Sequence, residues 1–217
     1  MLDYIYRPTE HFLSDVGKNV YRATTTSPNA NSIRFRQAYL AELIGSSVEK
    51  RGPLEVLSVA CGHMRELDLC PPSYATQLNI SALDQDNDTL LTLTNNYPDF
   101  SIKVIPESIT SILKPTFRDG YDLIYSAGLF DYLNDKLASK LIHRLSSLLR
   151  QGGVLSVANF LPDNHGRGYM EGFMEWSLIY RSQDELEGLA KGLGTEFEVS
   201  SFTDDFENVA YLELHKR

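Results

Sequence analysis

Apolar residues in the middle of the chain fall in short runs, and the spacing alternates between that of a buried strand and that of a helix. Leu54-Glu55-Val56-Leu57-Ser58-Val59-Ala60 reads as a buried strand ending at Cys61-Gly62. Met64 to Cys70 reads as the opening of a helix that Pro71-Pro72 stops. A second strand is predicted over Gln77 to Leu83, ending at Asp84, and a helix over Asp88 to Asn96. Ile102 to Ile105 reads as a third strand, Ile109 to Leu113 as a short helical piece, and Tyr121 to Tyr125 as a fourth strand ending in Ser126-Ala127-Gly128. From Asp135 to Arg150 the period is 3.6, with Leu137, Leu141, Leu145 and Leu148 on one face and Gly152-Gly153 as terminator. Val154 to Ala158 is a fifth strand. A helix starts at Ser182, where Glu185 completes a capping box. Phe197 to Phe202 and Val209 to His215 read as two strands joined by a turn at Asp204 to Asn208.

Strands alternating with helices imply right-handed crossovers and a parallel sheet covered on both faces. The expected fold is α/β: a Rossmann-like, doubly wound, seven-stranded sheet with an antiparallel C-terminal hairpin strand. Residues 1–52 are expected to form an N-terminal helical cap or lid, and 53–217 the core, with an insert on the substrate side at 162–181.

Composition narrows the partners. Of 217 residues, 20 are Lys or Arg and 29 Asp or Glu, a net charge of -9, which argues against nucleic acid and anionic membranes. Cys61 and Cys70 are the only cysteines and lie outside any zinc-like spacing, so no disulfide framework is expected. Asp84, Asp86 and Asp88 lack the glycine and glutamate of a calcium loop, and no metal is expected. Met1-Leu2-Asp3-Tyr4 has no basic leader character and no apolar run reaches bilayer length, so the expected setting is cytoplasmic. The expected state is a monomer or homodimer without membrane insertion.

In a doubly wound sheet the ligand lies beyond the carboxyl ends of the strands. Ala60 and Gly62 leave room for close approach, Asp84 can accept two ribose hydroxyls, and Ser126-Ala127-Gly128 leaves space beside a reacting centre. These residues resemble a class I S-adenosylmethionine-dependent methyltransferase, although only Gly62 remains of the family's glycine-rich loop. Two longer stretches sharpen the match: Tyr121 to Leu133, and Asn159-Phe160 followed by Arg167 to Glu171 and Glu175 to Arg181. Both are similar to the bacterial extracellular-factor 3-hydroxypalmitic acid methyl ester biosynthesis proteins. The resemblance implies S-adenosyl-L-methionine as cofactor, with Ala60, Cys61 and Gly62 along its methionyl part. It also implies Asp84 on the ribose, Gln85 beside the adenine, Glu107, Ser108 and Ile109 around the adenine, and Ser126 and Ala127 near the sulfonium. It implies a small-molecule acceptor, a carboxylate or hydroxyl oxygen on an acyl chain or natural product.

On the acceptor side the insert offers His165 as base, Tyr169 and Tyr180 as orienting hydroxyls, and Arg167 or Arg181 as a fork for an anionic group. Phe173, Met174, Trp176, Leu178 and Ile179 are candidate pocket walls. Tyr4, Tyr6, Tyr21, Arg34, Phe35, Arg36 and Tyr39 are candidates for the closing segment. Arg167 and Arg181 also stand four residues before Glu171 and Glu185, the spacing of simple helix-surface pairs. Cys61 reads as a packing residue, and His11, His143 and His215 as structural or solvated. Two other readings remain open: an NAD-dependent oxidoreductase of similar topology, and a non-catalytic cofactor-binding protein.

Overall fold

The computed structural model describes residues 2–7 and 14–217; His11 lies outside them. Its strands are β1 (Leu54–Val59), β2 (Leu78–Leu83), β3 (Ser101–Ile105), β4 (Tyr121–Ser126), β5 (Leu149–Phe160), β6 (Phe197–Thr203) and β7 (Val209–Lys216). They form one sheet in the order β3-β2-β1-β4-β5-β7-β6. Strands β1 to β5 are parallel, and β7 runs antiparallel between β5 and β6. The hairpin turn is closed by Asp204 Oδ1, which accepts the N–H groups of Asn208 and Val209.

Side chains alternate across the sheet, so β1 feeds both cores. Leu54 and Val56 pack with Leu40, Leu43 and Ile44 of α3 (Pro28–Arg51) and Leu90 and Leu93 of α4 (Asn87–Asn96). Leu57 and Val59 pack with Leu141, Ile142 and Leu145 of α5 (Asp135–Ser147) and Leu186 of α7 (Gln183–Gly188). Burying each such aliphatic side chain contributes about 2 kcal/mol. Two shorter helices, α1 (Leu2–Tyr6) and α2 (Asp15–Thr25), precede α3, and α6 (Arg167–Phe173) lies in the insert. Ser27 starts α3 by accepting the Ala30 N–H, with Pro28 in the first turn. The capping box at Ser182 and Glu185 is formed in both directions. No helix among the described residues is long and apolar enough to cross a bilayer.

Two elements differ from the sequence expectation. No α-helix opens at Met64; the chain makes 3-10 turns at Arg65–Leu69 and Pro72–Thr76. Pro71 and Pro72 leave the segment too short for a helix that has to bury a face, and α3 covers this region, with Gln37 donating to the Arg65 carbonyl at 2.6 Å. Helix α5 ends at Ser147 rather than Arg150, and β5 begins at Leu149, which pairs with Tyr121. The chain then passes through Gly152-Gly153 as a bulge. A Cβ at Gly153 would stand 2.9 Å from the Arg150 carbonyl, so the glycine permits the strand to continue.

Candidate active site

The chain leaves β1 through a tight curl at the carboxyl edge of the sheet. Ala60, Gly62 and Met64 take left-handed φ values of 51°, 55° and 47°. For Ala60 and Met64 this conformation costs about 1–2 kcal/mol each. The curl therefore exists without the glycines usually associated with it. It is held from β2: Cys61 donates its N–H to the Leu83 carbonyl at 3.0 Å, and Gly62 donates to Asp84 Oδ2 at 3.0 Å. Asp84 Oδ1 accepts the Asp86 N–H at 3.0 Å. Each carboxylate oxygen keeps acceptor capacity after these bonds, enough for two further hydroxyl donors.

Between this curl and the end of β4 lies a cavity of about 390 Å³. Ala60 to Glu66 form one wall, and Ala127, Gly128, Asp131 and Tyr132, which follow β4, form another. Ile33 and Arg36 enter from α3, Asp3 and Tyr6 from α1, and Phe160 and Trp176 from β5 and the insert. Trp176 is fixed by its indole N–H, which donates to the Tyr132 hydroxyl at 2.6 Å. At the rim Asp3 accepts from Arg65 at 2.7 Å. Burial lifts the Asp3 carboxyl, but Arg65, His63 and Arg7 outweigh it and hold the group below the usual carboxylate range.

Four buried charged side chains line the cavity, and one of them, Arg65, is the partner of Asp3. Arg36, 6% exposed, donates to the Ala127 carbonyl, while its Nε has no partner among the described residues. Glu66, 7% exposed, accepts the Tyr125 hydroxyl at 2.6 Å, and burial pushes its carboxyl above the usual range. Asp131, 3% exposed, accepts the Phe160 N–H at 2.7 Å through Oδ1, and its other oxygen receives no donor among the described residues. Burial raises Asp131 to about 6, against the opposing pull of the Phe160 N–H, Arg36 and Arg181.

The expected site residues divide accordingly. Ala60, Cys61, Gly62 and Ala127 line the cavity, with Asp84 bonded to its wall. Burial pushes the Cys61 thiol far up, which makes it a poor nucleophile. Ser126 is buried and donates to the Val59 carbonyl at 2.9 Å, tying β4 to β1. Gln85, Glu107 and Ser108 are exposed beyond the ends of β2 and β3, with Ile109 half-buried beside them.

None of His165, Arg167, Tyr169, Tyr180 or Arg181 lines the cavity. The His165 ring contacts Asn208. Arg167 pairs with Glu171 at 3.1 Å and lies over the Tyr180 ring. Tyr169 stacks on Phe173, which is 83% exposed. Arg181 is turned inward to the Phe130 and Leu133 carbonyls, Asn159 and Asp135, not to Glu185. Of the expected pocket walls only Trp176 reaches the cavity, and of the expected closing segment only Tyr6 and Arg36 do. Glu66 was missed because it reads as one polar position of the helix expected over Met64 to Cys70, and Asp131 because nothing beside it in sequence marks its carboxyl as buried. Asp131 does sit within the Tyr121 to Leu133 stretch that carried the resemblance.

The strand order, the reversed β7 and the cavity between β1 and β4 define the Rossmann-like fold of class I methyltransferases. Among solved structures the chain is similar to a possible exported protein from Bordetella parapertussis, with TM-score 0.77, 19% identity, and 99% of this chain and 77% of that one covered. It is similar to magnesium protoporphyrin IX methyltransferase from Synechocystis PCC 6803 with bound S-adenosylhomocysteine, at TM-score 0.65 and 13% identity, covering 99% of this chain and 97% of that one. A plantazolicin methyltransferase in complex with a triazolic desmethylPZN analogue and S-adenosylhomocysteine matches at TM-score 0.65 and 12% identity, covering 99% of this chain and 94% of that one. No family profile and no curated protein matches the chain.

Proposed function

We propose that the protein transfers a methyl group from S-adenosyl-L-methionine to a small-molecule acceptor. The observation that carries this reading is the curl after β1 closed by the Gly62–Asp84 bond, with acceptor capacity left on Asp84 for a ribose. The same region disfavours NAD. A dinucleotide places its pyrophosphate on a helix N-terminus after the first strand. Here a 3-10 turn with two acidic residues, Glu66 and Asp68, takes the place of that helix. A sulfonium nucleoside has no pyrophosphate and does not need it.

The residues present fit that cofactor. Its methionyl end carries an ammonium and a carboxylate, matching the buried Glu66 and the unpartnered Nε of Arg36. Gln85, Glu107, Ser108 and Ile109 are the groups available to the adenine. The cofactor, when bound, supplies an activated methyl group. The chain's own work is to align the acceptor and exclude water, with Trp176, Tyr132 and Tyr6 around the reacting space and α1 as the closing element. The acceptor we propose is an oxygen, carboxylate or hydroxyl, on a molecule with an apolar body such as an acyl chain, because Ile33, Phe160 and Trp176 offer it apolar walls. Cys61 and Cys70 are free thiols, which suits a reducing compartment such as the cytoplasm.

Calorimetric titration with S-adenosylhomocysteine and NADH tests the reading. Binding of the former alone is expected; binding of NADH alone refutes it. Mass-spectrometric detection of a methylated product separates an enzyme from a non-catalytic binder.

A further inference from the structure

Of the four buried charged side chains that line the cavity, Arg65 is paired with Asp3 at the rim, and the cofactor reading accounts for Arg36 and Glu66. Asp131 is left over. It stands in the turn directly after β4, three residues beyond Gly128, at the edge where the reacting centre of a doubly wound sheet lies. Oδ1 is held by the Phe160 N–H, so the carboxyl is oriented, and the other oxygen has no protein donor among the described residues. Beside it lie the Tyr132 hydroxyl, which receives the Trp176 indole N–H, and the apolar faces of Phe160 and Trp176. An oriented, buried carboxylate with a free lone pair at the wall of a cavity is a proton acceptor.

We propose that Asp131 is the general base of the reaction and that the acceptor is therefore a hydroxyl, not a carboxylate. This rests on the methyltransferase reading. The acceptor O–H gives its proton to Asp131 while the acceptor oxygen forms the new O–CH3 bond. The C–S bond breaks with its electron pair remaining on sulfur, and the Asp131 carboxylic acid returns its proton to water when product leaves. A carboxylate acceptor needs no base, and a second carboxylate beside it would repel it. The charged and titratable groups around Asp131 are Arg36 from α3, Arg181 from the segment before α7, Tyr132 in its own turn, Tyr180 from the insert and Tyr211 from β7. None of the tyrosines is expected to ionise near neutrality, because burial raises each of them.

The test uses 1-hexanol and hexanoate as matched probes on the full chain, with wild type and Asp131→Asn. The Asn carbonyl oxygen can still accept the Phe160 N–H, and the thermal midpoint and S-adenosylhomocysteine affinity check folding and cofactor binding. Wild type is expected to methylate hexanol in preference to hexanoate. Asp131→Asn is expected to keep its S-adenosylhomocysteine affinity and to lose hexanol methylation by about 100-fold or more, the usual size of a general-base contribution. In calorimetry of the complex with S-adenosylhomocysteine, the variant should bind hexanoate roughly tenfold more tightly than wild type does, since a like charge has been removed. Preference of wild type for hexanoate, no transfer to hexanol, or an unchanged hexanol rate in Asp131→Asn overturns the assignment. Failure of wild type to bind S-adenosylhomocysteine at all overturns the reading beneath it instead.

Discussion

Asp131→Asn also has a stability signature that does not depend on any ligand. Asp131 is 3% exposed and its carboxyl is raised to about 6, chiefly by burial. An unfolded aspartate titrates near 3.9. The folded protein therefore holds this proton more tightly than the unfolded chain does. The contribution of this group to stability is greatest below about pH 4 and is lost as pH rises through about 6. A gap of about two pH units at about 1.4 kcal/mol each comes to roughly 3 kcal/mol. Asparagine has no proton to lose, so the variant escapes this loss, while Arg36 keeps its charge in both proteins. Relative to wild type, Asp131→Asn should gain roughly 3 kcal/mol between pH 4 and pH 7, or about 6–12 °C in Tm for a chain of this size. Thermal unfolding followed by circular dichroism across that range measures it. A difference between the two proteins that stays constant from pH 4 to pH 7, or that runs in the opposite direction, refutes the placement of an ionisable buried carboxyl at this position.

Asp84→Ala should weaken S-adenosylhomocysteine binding by about tenfold or more in calorimetry, because it removes charge-assisted hydrogen bonds worth about 1.5–3 kcal/mol and frees the Gly62 N–H. Arg181→Ala should cost about 3–5 kcal/mol in denaturant unfolding, since it orphans the Phe130 and Leu133 carbonyls and Asn159 at a buried position; a loss under 1 kcal/mol would show that these bonds are not formed. Arg167→Ala should change stability by less than about 0.5 kcal/mol and leave S-adenosylhomocysteine affinity intact, because its pair with Glu171 is exposed. Iodoacetamide should alkylate Cys61 slowly at pH 8, its thiol being held protonated by burial and by Asp84 and Glu66, and peptide mass spectrometry reads the rate.

The architecture was legible in the sequence because burial imposes a period. Buried parallel strands such as Leu54 to Val59 must be apolar on both faces, and α5 must present a leucine stripe to the sheet; both patterns can be read locally. So was the carboxyl rim of the sheet, since strand ends follow from strand positions, and Asp84 at the end of β2 does bond the curl at Gly62. The helix expected after β1 failed because its existence depended on whether a neighbour covered that face, and α3 does. The polar chemistry of the cavity was not legible. Arg36, Glu66 and Asp131 come from three distant segments, and nothing near any of them in sequence separates a buried charge from a solvated one. Arg181 and Arg167 show the converse: two arginines in one insert, one turned inward and one left on the surface. Hydrophobic periodicity is a property of neighbouring residues, so the chain alone specified the sheet and its rim. Desolvation of a charge is a property of everything packed around it, so only the tertiary structure decided which charged groups meet at that rim.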